Sequence, residues 1–369
     1  MTNGGAKKNI TVLFAGGGTG GHLFPAIAMA EELKKIVPAA RIVFIGTKTK
    51  IEARVVPAKG YEFYTIWISG LHRRLTIDNI LFPVKAVVAL WQSFRILRRV
   101  RPDVVVGTGG YVCGPILFIA SLLGIPTVVH ESNSYPGATT RMLARRVSSV
   151  LVTFDVTKQW LPEGTHAAVV GTPTREELNA ARHDDALASY GFDRTKKTVL
   201  VFGGSLGAAS INNALAACVG RWTESGYQVL WQTGKYPGAE AFKRFATDSV
   251  RVMDFIEAMS VAYAAADCVV CRSGATTLAE LTRFGKPAIL IPLPTAAANH
   301  QELNARALVD AGAARMIRDA EAPEKLCTAV SELLNNDDER KAMSARSITL
   351  GKPDAGKNIA ERILALAQQ

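Results

Sequence analysis

The chain has 369 residues, of which 48% are hydrophobic, so it is long enough to fold as two domains of ordinary size, each with its own core. Its formal net charge of +11 indicates anionic partners such as phosphorylated molecules or acidic lipids, while the lack of a zinc-finger or RNA-binding signature argues against nucleic acid. The polar residues 1–8 predict no signal peptide, and glycines and prolines break the apolar stretch 112–129, so we expect a cytoplasmic protein without a transmembrane helix.

Apolar strand-like runs alternate with helical patterns along the whole chain. In the first half the patterns predict strands at 10–15, 41–46, 103–107 and 127–130, and helices at 24–36, at 84–99 and up to residue 123. In the second half they predict strands at 198–202, 228–231, 268–271 and 288–291, and helices at 208–217, from residue 275 and at 357–367. A turn-rich segment at 171–175 separates the two sets.

This alternation predicts an α/β protein with two Rossmann-like domains, each a doubly wound parallel sheet, facing one another across a cleft. We expect the N-terminal domain to span residues 1–170 and the C-terminal domain residues 171–352, with the last helix, 353–369, packing back on the first domain. Ligands of such sheets bind outside the carboxyl ends of the strands, so we expect the functional residues in the loops there.

The loop 16–22, with the sequence GGGTGGH, follows the first predicted strand and opens the first predicted helix. Glycines let the backbone approach a ligand closely, and the N–H groups at a helix start favour anions, so the loop predicts a phosphate-bearing ligand. Its spacing also fits the dinucleotide fingerprint, but Thr47 and Lys48 stand where that motif wants an acid, and His22 stands where a P-loop has lysine. A tight turn without a ligand is the remaining interpretation.

The loop 203–207, with the sequence GGSLG, repeats this strand–glycine–helix arrangement in the second half. It predicts a second phosphate or nucleotide loop, although it also matches the nucleophile elbow of serine hydrolases. A hydrolase would need a downstream histidine, and His300 is the one available. The loop 16–22 would have no role in such an enzyme, which favours the nucleotide interpretation.

Two further segments of the second half carry polar groups at predicted helix starts. Glu280 lies one turn beyond Thr276, where its carboxylate can accept hydrogen bonds from both hydroxyls of a ribose, or can be an ordinary solvated glutamate. Gln301 and Asn304 follow a run of small residues, and their amides suit a sugar, which presents both donors and acceptors.

Together these segments resemble the family 28 glycosyltransferases of the GT-B fold that transfer N-acetylglucosamine in bacterial peptidoglycan synthesis. The resemblance covers nearly the whole chain and is carried by seven segments in order, namely 16–22, 109–111, 130–133, 172–175, 203–207, 273–280 and 301–304. Alternatives are an enzyme similar to UDP-N-acetylglucosamine 2-epimerase, another GT-B enzyme, and a nucleotide-binding module without catalysis.

The resemblance implies an inverting transfer from UDP-N-acetylglucosamine to the 4-hydroxyl of N-acetylmuramic acid in undecaprenyl-pyrophosphoryl-muramyl-pentapeptide, which converts lipid I to lipid II. It implies a peripheral protein on the cytoplasmic face of the inner membrane, with a role in cell shape and division and with other cell-wall synthesis proteins among its partners. The acceptor is expected on the N-terminal domain and the donor on the C-terminal domain. No metal or cofactor is expected.

The resemblance also implies roles for single residues. Glu280 would hold the ribose, Ser205 the diphosphate, Arg175 the phosphates or uridine, and the backbone of Ile256 the uracil, while Gln301 and Asn304 would bind the sugar. The complete set of implied donor residues is Arg175, Ser205, Ile256, Ala275, Thr276, Thr277, Leu278, Ala279, Glu280, Gln301 and Asn304. The implied acceptor residues are Thr19, Gly20, Gly21 and Asn133.

The reaction needs a base for the acceptor hydroxyl, and His22 is the first candidate. A helix N-terminus disfavours the imidazolium form and keeps the ring neutral. The alternative is that His22 only hydrogen-bonds the loop or an acceptor phosphate. Glu131 is the second candidate base.

Basic and apolar residues are mixed between positions 73 and 101, which suits docking on an anionic membrane surface. The apolar residues of 75–82 are the stronger candidates for membrane contact. We expect much of the apolar stripe of 84–94 to belong to the core.

Overall fold

The structure is a computed structural model that describes residues 10–70, 80–174 and 182–368. The chain divides into two compact units. The first unit combines Met1–Thr174 with Pro353–Gln369, and the second unit is Arg175–Lys352.

The first unit is built on a seven-stranded sheet in which every strand pair is parallel. Its strands are β1 (Thr11–Ala15), β2 (Arg41–Gly46), β3 (Glu62–Thr65), β4 (Val104–Gly107), β5 (Thr127–Glu131), β6 (Ser149–Val152) and β7 (Ala167–Val169), in the order β3-β2-β1-β4-β5-β6-β7. In the described residues before the second unit, its α-helices are α1 (Gly20–Ile36), α2 (Ile51–Ala58), α3 (Phe82–Val100), α4 (Cys113–Leu122) and α5 (Ala138–Leu143).

The second unit contains a six-stranded sheet, again with only parallel pairs. Its strands are β8 (Thr198–Phe202), β9 (Gln228–Gln232), β10 (Val250–Met253), β11 (Cys268–Cys271), β12 (Ala288–Leu290) and β13 (Arg315–Met316), in the order β10-β9-β8-β11-β12-β13. Its helices are α6 (His183–Ser189), α7 (Ala209–Glu224), α8 (Met259–Ala265), α9 (Ala275–Phe284), α10 (His300–Val309), α11 (Ala322–Asn335) and α12 (Asp337–Leu350).

The last helix, α13 (Ala355–Ala367), belongs to the first unit. Ile359 and Ile363 are fully buried in the same apolar cluster as Leu23 and Met29 of α1. The chain therefore returns to the first sheet after completing the second, and the helix becomes part of that core.

The predicted α/β class with two parallel sheets is confirmed, because the central strands are covered on both faces and read as continuous apolar runs. The predicted strands at 41–46 and 198–202 match β2 and β8 to the residue. The prediction of a helix at 208–217 was too short, since α7 continues to Glu224. The patterns did not predict β3, β6, β7, β10 and β13.

The assignment of the stripe 84–94 to the core was wrong. Along α3 and the residue pair before it, one face is exposed and carries large apolar side chains, namely Ile80, Leu81, Val84, Val87, Trp91 and Phe94. The opposite face carries the buried residues Lys85, Ala89, Ser93 and Leu97. Of the segment 75–82, residues 75–79 lie outside the described residues. Within the described parts of the chain, no helix combines the length and apolar character needed to cross a membrane.

Candidate functional site

The loop between β1 and α1 makes a tight turn in which Gly17 and Gly18 cannot be replaced by larger residues without strain. Gly18 has a φ of +85°, which side-chain-bearing residues rarely adopt. A Cβ on Gly17 would lie 2.6 Å from the carboxylate of Glu52. The helix α1 begins at Gly20 with Thr19 as an extended N-cap residue, so the predicted acceptor residues Thr19, Gly20 and Gly21 form the mouth of this helix.

His22 is held in one orientation by the loop that follows β4. Its Nδ1 lies 3.0 Å from the carbonyl oxygen of Thr108, and the Thr108 hydroxyl donates to the His22 carbonyl oxygen at 2.7 Å. A carbonyl oxygen only accepts, so Nδ1 carries a proton, and in the neutral form of the ring the lone pair is on Nε2. Gly109 has a φ of +101°, and a Cβ there would lie 2.6 Å from Nδ1, so the ring needs a glycine at that position.

Glu52, on the first turn of α2, is a residue that the sequence reasoning missed. Its side chain is fully buried. Oε1 accepts from the Thr47 amide at 3.0 Å and from the Thr47 hydroxyl at 2.8 Å, and Oε2 accepts from the Gly18 amide at 3.0 Å. One carboxylate thus ties the end of β2 to the glycine loop after β1. In the sequence Glu52 is only an acid near a helix start, with no signal of its burial.

Glu131, at the end of β5, is also buried, and its carboxylate accepts four hydrogen bonds. Oε1 accepts from the amide and the side-chain nitrogen of Asn133 at 3.1 and 3.2 Å. Oε2 accepts from the Gly137 amide at 2.9 Å and from the Thr140 hydroxyl at 2.7 Å. The carboxylate therefore organises the loop 132–137 and the start of α5, and it fixes the predicted acceptor residue Asn133.

A pocket of about 710 Å³ lies in the first unit beside the glycine loop. Among the sequence-predicted site residues, Thr19 and His22 line it, whereas Gly20, Gly21, Asn133 and Glu131 do not. The other described lining residues come from the glycine loop, the end of β2, the end of β3 and the residues after it, α3 and the loop after β4. They include Gly18, Lys48, Lys50, Trp67, Ser69, Lys85, Gln92 and Tyr111.

In the second unit the loop 203–207 follows β8 and presents Ser205 to solvent. The side chain of Gln232, at the end of β9, bridges two predicted donor-binding segments. Its Nε2 donates to the Gly204 carbonyl at 3.0 Å, and its Oε1 accepts from the Ile256 amide at 2.8 Å. Ile256 is buried, and its amide is engaged by Gln232, so a uracil contact through the backbone of Ile256 would use its carbonyl oxygen or would displace Gln232.

Glu280 lies in the middle of α9, the helix that follows β11, and is largely buried rather than solvated. The hydroxyl of Tyr263, a fully buried residue of α8, donates to Oε2 of Glu280 at 2.9 Å. The sequence reasoning missed Tyr263. Of the other predicted residues on this helix, Ala275 and Leu278 are buried, whereas Thr276, Thr277 and Ala279 are half-buried.

The side chains of Gln301 and Asn304, on α10, form hydrogen bonds with other residues of the second unit. Oε1 of Gln301 accepts from the Leu293 amide at 3.0 Å, and its backbone carbonyl accepts from the Ser273 hydroxyl at 2.8 Å. Asn304 is fully buried, and its Nδ2 donates to the Ser273 carbonyl at 3.2 Å. Both residues therefore hold the loop between β11 and α9. Arg175 lies outside the described residues.

Two buried groups of the first unit, His130 at the end of β5 and Cys113 at the start of α4, have pKa values that differ from their ordinary range. Burial lowers the pKa of His130, whose Nε2 donates to the Gly171 carbonyl at 2.8 Å. Burial raises the pKa of the Cys113 thiol to about 12, so that cysteine is not a nucleophile near neutral pH. In the described part of the chain, no three histidine, cysteine, aspartate or glutamate side chains cluster as metal ligands would.

Two parallel α/β units with glycine loops at the carboxyl ends of their strands define the class as GT-B. Residues 12–152 match the glycosyltransferase family 28 N-terminal domain, and residues 198–359 match the glycosyltransferase family 28 C-terminal domain. The chain belongs to glycosyltransferase family 28 and is an enzyme that transfers a sugar.

Relatives of known name match over nearly the full length. The chain is 42% identical over 360 residues to the UDP-N-acetylglucosamine--N-acetylmuramyl-(pentapeptide) pyrophosphoryl-undecaprenol N-acetylglucosamine transferase of Salinibacter ruber, with 97% of each chain covered. It is 43% identical to the Chlorobaculum parvum protein of the same name, with 97% of this chain and 99% of that one covered. The crystal structure of Acinetobacter baumannii MurG is similar with a TM-score of 0.80 at 29% identity, covering 96% of this chain and 99% of that one. A UDP-N-acetylglucosamine 2-epimerase structure, at 18% identity and a TM-score of 0.64, shares the fold.

Proposed function

We propose that the chain transfers N-acetylglucosamine from UDP-N-acetylglucosamine to the 4-hydroxyl of the muramyl sugar in undecaprenyl-pyrophosphoryl-muramyl-pentapeptide, a step of peptidoglycan synthesis. The observation that carries this proposal is the 42–43% identity to transferases of that name over 97% of the chain. An epimerase has only the shared fold in its favour.

The second unit binds the donor in this proposal. The carboxylate of Glu280 accepts hydrogen bonds from the ribose hydroxyls, with Tyr263 fixing its orientation. The loop around Ser205 and the first turn of α7 face the diphosphate, because helix N-termini favour anions. Arg175 adds positive charge for the departing UDP. Gln301 and Asn304 hold the backbone of the loop after β11. They therefore contribute to sugar binding partly by positioning that backbone.

The first unit binds the acceptor, and His22 is the base. The oxygen of the muramyl 4-hydroxyl attacks the anomeric carbon of the donor, the bond from that carbon to UDP breaks, and the hydroxyl proton passes to Nε2 of His22. The contact to Thr108 supports this role, since it leaves the lone pair on Nε2. Glu131 is then a positioning residue for the loop that carries Asn133.

The first test measures UDP release from UDP-N-acetylglucosamine by the purified chain, with and without a short-chain lipid-linked muramyl-pentapeptide. Acceptor-dependent release is the expected result. Replacing His22 with glutamine should lower kcat by about 100-fold to 10,000-fold, which is the usual contribution of a general base, with little change in the KM for the donor. Conversion of the donor to its 2-epimer without acceptor would overturn the proposal in favour of an epimerase.

The exposed apolar face of α3 docks on an anionic membrane surface in this proposal, at the cytoplasmic face of the inner membrane. The apolar side chains recur at 80, 84, 87, 91 and 94, which is one face of a helix. Arginines flank this face, and the guanidinium of Arg95 lies 4.9 Å from the Trp91 ring centroid. Such a mixture of apolar and basic residues is typical of interfacial helices.

Vesicle flotation tests this surface. The wild-type chain should float with vesicles of anionic phospholipid, and a variant with serine at Val84, Val87 and Trp91 should bind at least about tenfold more weakly, because each large apolar side chain contributes on the order of 1 kcal/mol or more when buried. Equal flotation of both proteins would contradict the assignment.

A further inference from the structure

A buried arginine lies at the edge of the second sheet where the donor loops begin. Arg272 is the first residue after β11, and its side chain is buried. A guanidinium keeps its charge in proteins, so arginine is seldom buried unless its N–H groups are paired. The donor contacts of the proposed function do not include Arg272, so its burial needs another reason.

The Arg272 guanidinium joins segments that follow three other strands of the sheet. Nη1 donates to the carbonyl oxygens of Ile291 and Pro292, both at 3.0 Å, directly after β12. Nη1 also donates to the carboxylate of Asp319, in the turn after β13. Nη2 donates at 2.8 Å to the hydroxyl of Ser210, in the first turn of α7, the helix that follows β8. Because the donors of a guanidinium form a rigid planar fork, these four contacts fix the segments relative to one another.

The Ser210 hydroxyl closes this network. It accepts from Arg272 and donates to Oδ1 of Asp319 at 2.7 Å, so each of the three side chains contacts the other two. The ion pair of Arg272 and Asp319 is largely shielded from water, with 10% and 19% of the two side chains exposed. Hydrogen bonds to charged groups are the stronger ones in proteins. The network therefore holds the first turn of α7 firmly against the carboxyl edge of the sheet.

The start of α7 is packed tightly against the glycine loop 203–207. A Cβ on Gly203 would lie 2.3 Å from the amide nitrogen of Ala208, the N-cap residue of α7. Within the loop, the Gly207 amide donates to the Gly204 carbonyl oxygen at 3.0 Å. A displacement of the first turn of α7 would therefore displace the loop as well.

Arg272 also leads directly into the helix that carries Glu280. Only Ser273 and the N-cap residue Gly274 separate Arg272 from the first residue of α9. In the proposed function the start of α7 faces the diphosphate of the donor, and Glu280 binds the ribose. These two groups are covalently joined in the donor, so both contacts form without strain only when α7 and α9 start at the right distance from one another.

We propose that Arg272 is a positioning residue for donor binding, which acts through Ser210 and Asp319 by fixing the start of α7 relative to the start of α9. The inference rests on the proposed function, because that function puts the diphosphate at α7 and the ribose at Glu280. The network then determines the affinity for the diphosphate part of the donor, and Arg272 acts without touching the donor.

The test compares the binding of UDP and of uridine to the full chain by isothermal titration calorimetry. Ser210→Ala removes the hydroxyl but leaves the ion pair of Arg272 and Asp319 in place, so the unit should fold. This variant should bind UDP about fivefold more weakly, which corresponds to one net hydrogen bond, and should bind uridine within about twofold of wild type. Ser210→Thr keeps a hydroxyl at this position and should restore UDP binding to within about twofold of wild type.

Arg272→Lys separates the effect of position from the effect of charge. Lysine keeps the positive charge but lacks the planar fork that joins four acceptors. This variant should bind UDP about tenfold more weakly and should raise the KM for the donor by a similar factor, with the KM for the acceptor within about twofold of wild type. Wild-type UDP affinity would overturn the proposal, because the charge alone would then explain the role of Arg272. If this variant does not fold, the two Ser210 variants decide.

Ser225→Ala is the matched control, at the opposite end of α7. The Ser225 hydroxyl is exposed and donates to the Arg221 carbonyl oxygen at 2.9 Å, so its loss should leave both affinities unchanged. An equal loss of UDP and uridine binding in Ser210→Ala would overturn the proposal, because the whole unit would then be weakened, and an unchanged UDP affinity would overturn it as well. A wild-type chain that binds UDP but does not release it from UDP-N-acetylglucosamine in the presence of the muramyl acceptor would instead overturn the proposed function.

Discussion

Replacing Glu131 with glutamine tests whether this buried carboxylate holds a loop or takes a proton. One of its oxygens accepts from the Asn133 amide at 3.1 Å, and the other accepts from the Gly137 amide at 2.9 Å. Glutamine puts an NH₂ group in place of one oxygen. Whichever way the amide turns, a donor faces a backbone N–H, so one backbone hydrogen bond is lost inside the protein.

The loss of this one backbone hydrogen bond sets the expected decrease in the free energy of unfolding. A buried polar group left without its partner costs about 1–3 kcal/mol. The neighbouring side-chain donors, Asn133 Nδ2 and the Thr140 hydroxyl, can turn, so we expect one unmet backbone group and a loss of about 2 kcal/mol in the free energy of unfolding. At a typical dependence on urea this shifts the midpoint of the first unit by about 1 M.

Urea unfolding followed by tryptophan fluorescence measures this shift, and initial rates give kcat and both KM values. Glu163, an exposed carboxylate of the same unit, supplies the matched control, and its glutamine variant should stay within about 0.5 kcal/mol of wild type. A Glu131→Gln enzyme as stable as wild type, with unchanged KM values and a kcat lowered by about 1,000-fold, would refute the positioning role and make Glu131 the base.

Three further predictions follow from the same contacts. Glu52→Gln should lower the free energy of unfolding by about 1–3 kcal/mol and raise the acceptor KM more than the donor KM, since it unties the glycine loop; wild-type stability in urea would contradict this. Tyr263→Phe should raise the KM for UDP-N-acetylglucosamine about fivefold, because Glu280 loses a hydrogen bond that orients it, and an unchanged donor KM in initial rates would be the contrary result. Burial lowers the pKa of His130, so below about pH 6.5 the unfolded chain takes up a proton that the folded chain does not, and stability should fall as the pH falls. Urea titrations at several pH values between about 5 and 8 give the free energy of unfolding as a function of pH. This free energy should depend less steeply on pH in His130→Asn than in the wild type, and an equal dependence in both would exclude this histidine as the cause.

For most strands the success of the sequence prediction follows their position in the sheet, although the interior strand β6 was not predicted either. The interior strands β1, β2, β8 and β11 are covered on both faces, so nearly every residue is apolar and the pattern is plain. All four edge strands escaped prediction. These are β3, β7, β10 and β13, and most of their residues are only half-buried. Polar side chains interrupt the apolar pattern of β3, β10 and β13, and β7 has only three residues, too few to form a pattern.

The residues of the candidate site also fall into two groups, those that the sequence could predict and those that it could not. The loops 16–22 and 203–207 were predictable because a tight turn between a buried strand and a helix requires glycine, and the residue type alone shows this. Glu52 and Tyr263 were not, because each acts on a partner far along the chain: Glu52 on Gly18, 34 residues away, and Tyr263 on Glu280, 17 residues away. Only the fold brings these pairs together.

Two acids, Glu52 and Glu131, are buried in the described part of the first unit, and neither faces its pocket. A carboxylate that faced the pocket would repel the anionic acceptor of the proposed function. The carboxylate of Glu52 instead accepts from backbone amides of Gly18 and Thr47, and that of Glu131 accepts from amides of its own loop. Each acid therefore shapes a loop while its charge is met by inward-facing N–H groups. Neither acid lines the pocket beside the glycine loop, so His22 is the one of the two candidate bases that borders it.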